Sequence, residues 1–252
     1  MLNYNPQQRL PTSEELPCSD DTPVDHELQN TIPNLLRAIL LLIWAAREDW
    51  FFGVDMGIYD RSRQILQTPI VPDGFLSLRV QRHKKPKGRL SYVLAEENNI
   101  VPVFVLEYVS KTYGGEYDRK MEDYARLGVR YYTIYNPDYW QRDQHQPLEV
   151  YRLTNGNYER QLGEPVWMPE VGLGIGRELG VCEQWQRDWL YWYDQQLNRY
   201  QVPEELIEQL QQQLRQQELR AQQAESQLQQ EKKRSQQLAE MLRRLGVDPD
   251  SV

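Results

Sequence analysis

The sequence predicts an α/β domain: a mixed central β-sheet flanked by helices, followed by a long C-terminal helix with coiled-coil patterning. Three observations carry this. Strand-like segments dominate residues 50–162, with one helical pattern among them at 116–127. That lacks the regular strand–helix alternation of a doubly wound parallel fold. An apolar helix precedes the strands, and from Pro203 onward the composition shifts to Gln, Glu, Arg and Leu.

In chain order, residues 1–29 read as an irregular arm rich in Pro, Asp and Glu. Thr31 is placed to cap a helix reaching about Glu48, with Pro33 in its first turn. Its apolar residues surround most of the cylinder, so deep burial against a sheet follows. Trp50–Tyr59, Pro69–Val80, Ser91–Leu94 and Ile100–Ser110 read as strands, with a basic loop at Gln81–Arg89. A helix at Glu116–Leu127 ends at Gly128. Val129–Tyr135 is a further strand, and the segment around "TNGN" joins two strands in a hairpin. "GLGIG" at Gly172–Gly176 has no helix opening after it and reads as a turn, not a dinucleotide fingerprint.

The domains are therefore an arm at 1–29, a core at 30–200 and a helix at 203–246. In the last, Ile207, Leu210, Leu214, Gln217, Ala221, Ala224, Leu228, Glu231, Ser235, Leu238, Leu242 and Leu245 fall on a and d positions of a heptad. The pattern is that of a coiled coil weakened at its centre, or of a long solvated helix. Gly246 stops it, and Pro249 follows.

The 252 residues carry 29 Lys and Arg against 37 Asp and Glu, a formal charge of −8. That excludes a uniformly basic, charge-coating protein but not a local basic patch. Mean hydropathy is low at −0.77, which the polar tail explains. Cys18 and Cys182 lack disulfide-framework and metal-site spacing, which fits a reducing compartment. The longest apolar stretch, Leu35–Ala46, is far short of the roughly 20 residues that span a bilayer. With no signal peptide at the start, a cytoplasmic protein with no membrane segment is expected.

The chemistry centres on three residues. In "IVPVFVLEYVS" both strand faces are apolar, so the strand is central and covered on both sides. Glu107 is the anomaly. A buried carboxylate is costly unless salt-bridged, protonated or metal-bound. Asp73, in "IVPDGF", is either a Pro-Asp-Gly turn residue or a second carboxylate near Glu107. Lys120 shares a helix face with Tyr124, and either faces solvent or points at the carboxylates. Asp, Glu and Lys together form the inventory of metal-assisted phosphodiester hydrolysis. Asp73 and Glu107 would hold Mg²⁺, with Mn²⁺ as a substitute, and Lys120 would orient water or stabilise charge. At Val109 only the backbone carbonyl is available as a further metal ligand. Asp55 is an accessory carboxylate candidate or a turn residue. His26, His83 and His145 form no constellation.

"IVPDGFLSL" and "VFVLEYVSKTYGGEYDRKMEDYARLGVRYYTIYNP" resemble the Uma-type restriction-endonuclease-like family of the PD-(D/E)XK nuclease superfamily, common in cyanobacteria, over about residues 30–200. The resemblance implies the restriction-endonuclease-like fold and a Mg²⁺-dependent DNA endonuclease. It puts the PD aspartate on Asp73 and the following glutamate on Glu107. The superfamily's usual lysine position is Val109 here. A helix lysine in a D-x-K-x-x-x-Y context maps to Lys120, with Lys111 as competitor. The basic run Arg82, His83, Lys84, Lys85, Lys87 and Arg89 either contacts DNA phosphates or is a solvated loop. The tail implies a homodimer. The alternative to an enzyme is a non-catalytic nucleic-acid-binding or assembly protein that retains the fold and oligomerises through that tail.

Overall fold

The structure, a computed structural model, describes residues 12–14, 16, 26–60, 69–84 and 88–246. Cys18, Lys85, Lys87, Pro249 and most of the 1–29 arm lie outside these residues. The chain forms two compact units, Met1–Val202 and Pro203–Val252.

The first unit opens with α1 (Glu27–Ile43). His26 caps it, its ring nitrogen accepting from the Leu28 N–H at 3.1 Å. The cap thus lies at His26 and not at the expected Thr31, more than one turn earlier. Thr31 instead donates back to the Glu27 carbonyl inside the helix. One face, including Ile32, Leu36, Ile39 and Leu40, is buried. Leu41 and Leu42 remain exposed, so burial is one-sided and not all round.

Six strands build the main sheet: β1 (Trp50–Val54), β3 (Gly74–Leu78), β5 (Phe104–Tyr108), β6 (Tyr131–Tyr135), β7 (Leu148–Thr154) and β8 (Asn157–Gln161), in the order β1-β3-β5-β6-β7-β8. Only β5–β6 is parallel, and the helix α2 (Arg119–Leu127) lies between them in sequence. A parallel pair cannot be joined by a tight hairpin, so the crossover carries the helix. β7 and β8 do form a hairpin. Asn155 and Gly156 sit at φ 50° and 84°, the left-handed pair that a type I′ turn needs. Two short strands, β2 (Ile58–Tyr59) and β4 (Tyr92–Val93), pair in parallel beside it. A short helix α3 (Trp140–Asp143) precedes β7.

Every residue of β5 is buried. Its faces separate by parity, as strand geometry requires. Phe104, Leu106 and Tyr108 enter a core shared with α1. Val105, with Val109 beyond the strand end, enters a second core holding Tyr124 of α2 and Tyr132. Glu107 has the second parity.

The α1 side is closed by a feature absent from the sequence reading. β9 (Val166–Met168), β10 (Leu173–Cys182) and β11 (Trp185–Tyr193) form a three-stranded antiparallel sheet. Trp192 donates to the Leu36 carbonyl at 2.9 Å and packs edge-on against Phe104. "GLGIG" leaves a turn at Gly172, φ 76°, and from Leu173 onward is the start of β10. Leu173 and Ile175 fill the core, while a Cβ on Gly176 would lie 2.8 Å from the Pro165 Cβ. Gly174 and Gly176 thus serve close packing, while Gly172 serves the turn.

The second unit is α4 (Pro203–Arg244), a helix with no buried residue. Gly246, at φ 78°, follows its end. No described helix is long and apolar enough to cross a membrane.

α1 presses on the start of β3. A Cβ added at Gly74 would lie 2.9 Å from Pro33 Cβ and 3.3 Å from Phe52 Cζ. Gly74→Ala is expected to lower the unfolding free energy by about 1–3 kcal/mol, the usual range for overpacking. A urea midpoint equal to that of the parent would show that α1 yields without cost.

Candidate active site

Asp73 immediately precedes β3, and Glu107 is the penultimate residue of β5. The two strands are antiparallel with Gly74 opposite Leu106. One step further along that register sets Asp73 opposite Glu107. Side chains directly opposed on an antiparallel pair share a face and are close neighbours. The pairing is reinforced locally: Asp73 Oδ2 accepts from the Tyr108 N–H at 2.5 Å. Asp73 Oδ1 accepts from Gln29 Nε2 of α1 at 2.7 Å. Asp73 is 4% exposed and Glu107 is 0% exposed.

Lys120 projects from the first turn of α2. Asp118 caps the helix, and the Lys120 N–H reaches back to the Gly115 carbonyl. Its Nζ bonds Glu107 Oε2 at 2.8 Å and lies 3.6 Å from Glu116 Oε1. One turn later Tyr124 donates its hydroxyl to Glu107 Oε1 at 2.5 Å. The i, i+4 spacing thus delivers a cation and a neutral donor to the two oxygens of one carboxylate.

Of the expected site residues, Asp73, Glu107 and Lys120 come together. Lys111 does not: it is exposed, and its carbonyl takes a bond from Arg142. Asp55 is exposed at φ 53°, and its backbone N–H donates to the Asp73 carbonyl at 3.3 Å. The Val109 side chain is buried in the core, and its N–H donates to the Tyr135 carbonyl of β6 at 2.9 Å. In a trans peptide the attached carbonyl points the opposite way. That oxygen belongs to Tyr108, so the main-chain oxygen turned toward β3 is Tyr108's.

Gln29, Glu116 and the Tyr108 amide are the members that sequence reasoning did not reach. The Glu116–Lys120 spacing of four was a usable signal. Gln29 had none, because it was read as part of the arm.

Three described members of the basic run are satisfied within the protein. Arg89 bonds Glu97 at 2.8 Å with its side chain 2% exposed. Lys84 bonds Glu97 at 2.6 Å. Arg82 stacks its guanidinium 3.7 Å from the Trp50 ring centroid. Among the described residues of the run, these three tie the loop to the domain and do not form a free cationic tip.

Burial pushes the Asp73 pKa well up, and the Glu107 charge pushes the same way. Lys120, the Tyr108 amide and Gln29 oppose them without prevailing. Burial also raises Glu107, with Lys120 and Tyr124 pulling it back. For Lys120, burial alone would lower the pKa, but Glu107 and Asp73 outweigh it and raise it. The site therefore holds a firmly protonated lysine and a carboxylate that resists ionisation.

This has a pH consequence. A carboxyl whose folded pKa exceeds its unfolded value, about 3.9, binds its proton more tightly when folded. Stability then falls as pH rises from the unfolded pKa to the folded one. In chelator-treated protein, Asp73→Asn is expected to gain stability relative to the parent as pH rises above about 4, the unfolded carboxyl value. Thermal melts across this range check it, and a pH-independent gap would contradict it.

The family model described as "Uma2: Putative restriction endonuclease" matches residues 21–182, a span holding Asp73, Glu107 and Lys120. No curated protein matches the chain. Among solved structures, a "putative nuclease belonging to DUF820" from Anabaena variabilis ATCC 29413 is similar, with 13% identity over 58% of this chain and 74% of that chain. Its TM-score is 0.41. Because the family match spans more than half of the sequence, the chain belongs to the Uma2 family.

Proposed function

We propose that this protein is a Mg²⁺-dependent DNA endonuclease that hydrolyses phosphodiester bonds. The observation that carries the reading is the juxtaposition of Asp73 and Glu107 at the β3–β5 end, with Lys120 bonded to Glu107 at 2.8 Å. The donor set fits the metal. Both carboxylates offer hard oxygens, and each oxygen uses one hydrogen bond within the protein. A carboxylate has about four lone-pair sites, so acceptor capacity remains. Among the described residues no cluster of three or more His, Cys, Asp or Glu is assembled to hold a metal. Mg²⁺ suits such a sparse set because it keeps several waters. Asp73 and Glu107 would hold it. For a main-chain ligand, the geometry favours the Tyr108 carbonyl over that of Val109.

When bound, the ion polarises a phosphoryl oxygen and lowers the pKa of bound water. The chain's own residues do the rest. Gln29 and the Tyr108 amide fix the Asp73 carboxylate, and Tyr124 fixes that of Glu107. Lys120 enters as an ammonium and not as a base. It stabilises the negative charge that builds on the phosphoryl oxygens.

A second reading, assembly without catalysis, draws on α4. Ile207, Leu210, Leu214, Leu228, Leu238 and Leu245 are exposed at heptad spacing. In either reading this stripe supports a homodimer, because two such helices bury each other's apolar seam. For an endonuclease, a dimer supplies two sites for the two strands.

Supercoiled plasmid is expected to be nicked or linearised with Mg²⁺ or Mn²⁺. Asp73→Asn, Glu107→Gln and Lys120→Met should each lower the rate about a hundredfold or more. Equal cutting by parent and variants, or none by the parent, would overturn the nuclease reading. Light scattering is expected to give twice the monomer mass for the parent and the monomer mass for Leu214→Glu/Leu228→Glu. Monomeric parent protein at micromolar concentration would remove the dimer.

A further inference from the structure

Arg82, Lys84 and Arg89 are committed to internal contacts, which directs attention to a second surface for the proposed nuclease's substrate. The β5–α2 connection, residues 109–118, supplies one. It carries a ladder of stacked rings. Tyr113 and Tyr117 lie parallel within 9° with centroids 6.3 Å apart. Tyr117 stacks on His145 at 3.5 Å and 2°. Each rung is held from the side. Asn136 donates to the Tyr117 hydroxyl at 3.1 Å, and Glu149 lies 3.1 Å from His145 Nδ1. The Tyr113 hydroxyl donates to Asp118 Oδ2 at 3.0 Å and accepts from the Tyr117 N–H at 3.3 Å. The ladder ends at Tyr113, which is 46% exposed although its ring is fixed.

Two cations flank that outermost ring in sequence. Lys111 and Arg119 are exposed, and neither forms a salt bridge among the described residues. The loop is also coupled to the carboxylate site. Gly114, next to Tyr113, donates its N–H to Glu116 Oε2 at 3.0 Å, and the other Glu116 oxygen lies 3.6 Å from Lys120 Nζ. A rigid, half-exposed ring with exposed cations close in sequence is a combination suited to single-stranded nucleic acid: bases stack on the ring and phosphates pair with the cations.

We propose that Tyr113 is a stacking platform for an unpaired DNA base beside the scissile phosphate, with Lys111 and Arg119 neutralising the adjacent phosphates. This rests on the nuclease reading and extends it to the form of the substrate: a strand with an unstacked base, such as an end, a bubble or a flap. The preformed ladder lowers the ordering cost of capture, since its rings are already parallel.

The test is binding without metal. Full-length protein in chelator is titrated against a fluorescein-labelled single-stranded oligodeoxynucleotide and against a fully paired duplex, read by anisotropy. Tyr113→Ala is expected to weaken single-strand binding about tenfold, Tyr113→Phe to restore it, and neither to change duplex binding. Lys111→Gln/Arg119→Gln is expected to flatten the salt dependence on the single strand by about 1.4 in log–log slope, about 0.7 per phosphate. Unchanged single-strand affinity for Tyr113→Ala, or equal losses for Ala and Phe, would overturn the platform. If the parent still cuts plasmid in that case, the nuclease reading stands alone. If the parent neither binds nor cuts DNA, both fall together.

Discussion

Everything in the first unit is arranged around the burial of two neighbouring carboxylates. Asp73 and Glu107 face each other at the end of a sheet that is covered on both sides. Neither charge has enough water to stabilise it. Isolated, each would cost far more than one side chain's packing returns. The fold offsets this with donors from three separate elements: Gln29 from α1, the Tyr108 amide from β5, and Lys120 and Tyr124 from α2. The compensation is incomplete, since Asp73 still resists ionisation. An incompletely compensated pair of carboxylates has a standing affinity for a cation. In the proposed reading, that residual cost is what would link the architecture to metal-assisted chemistry.

The central strand and its outlier were legible in the sequence because their signals are local. Period-two alternation with apolar residues on both faces identified β5, and one acid in such a strand marks itself. Lys120 and Tyr124 were legible as a pair because helical spacing is local too. Gln29 was not, since its contact with Asp73 depends on α1 lying across the start of β3. That in turn depends on Gly74 being small enough to admit Pro33. The β9–β11 sheet escaped for a similar reason. Its glycines and exposed residues such as Leu179 and Val181 blur the alternation, and its register is set by tertiary packing against α1 and Phe104.

Charge shows the limit of reading clusters from sequence. Six basic side chains within eight positions look like a binding surface, yet Glu97, Trp50 and nearby carbonyls take up Arg82, Lys84 and Arg89. What decides whether a cation can meet a phosphate is whether an internal acid reaches it first. By that criterion the sparse Lys111 and Arg119 count for more than Arg82, Lys84 and Arg89.

In the proposed reading, a lysine that stands on the helix and not on the strand follows the same logic of compensation. At position 109 the side chain points into the core that packs against α2, and valine fills it completely. A lysine there would have to bury its whole stem between sheet and helix. From α2, Lys120 approaches from a partly exposed rim, where its methylene stem can stay at the surface while the ammonium reaches Glu107. The exchange permits a closely packed sheet–helix interface, and it makes the site depend on docking of that helix. If α2 lifts away, Glu107 loses its cation and its tyrosine donor together, and the carboxylate pair loses its main compensation. The helix is therefore held in place by the charges it neutralises as well as by the Tyr124 and Tyr132 packing beneath it. Assembly of the site thus requires α2 to be docked in the β5–α2–β6 crossover.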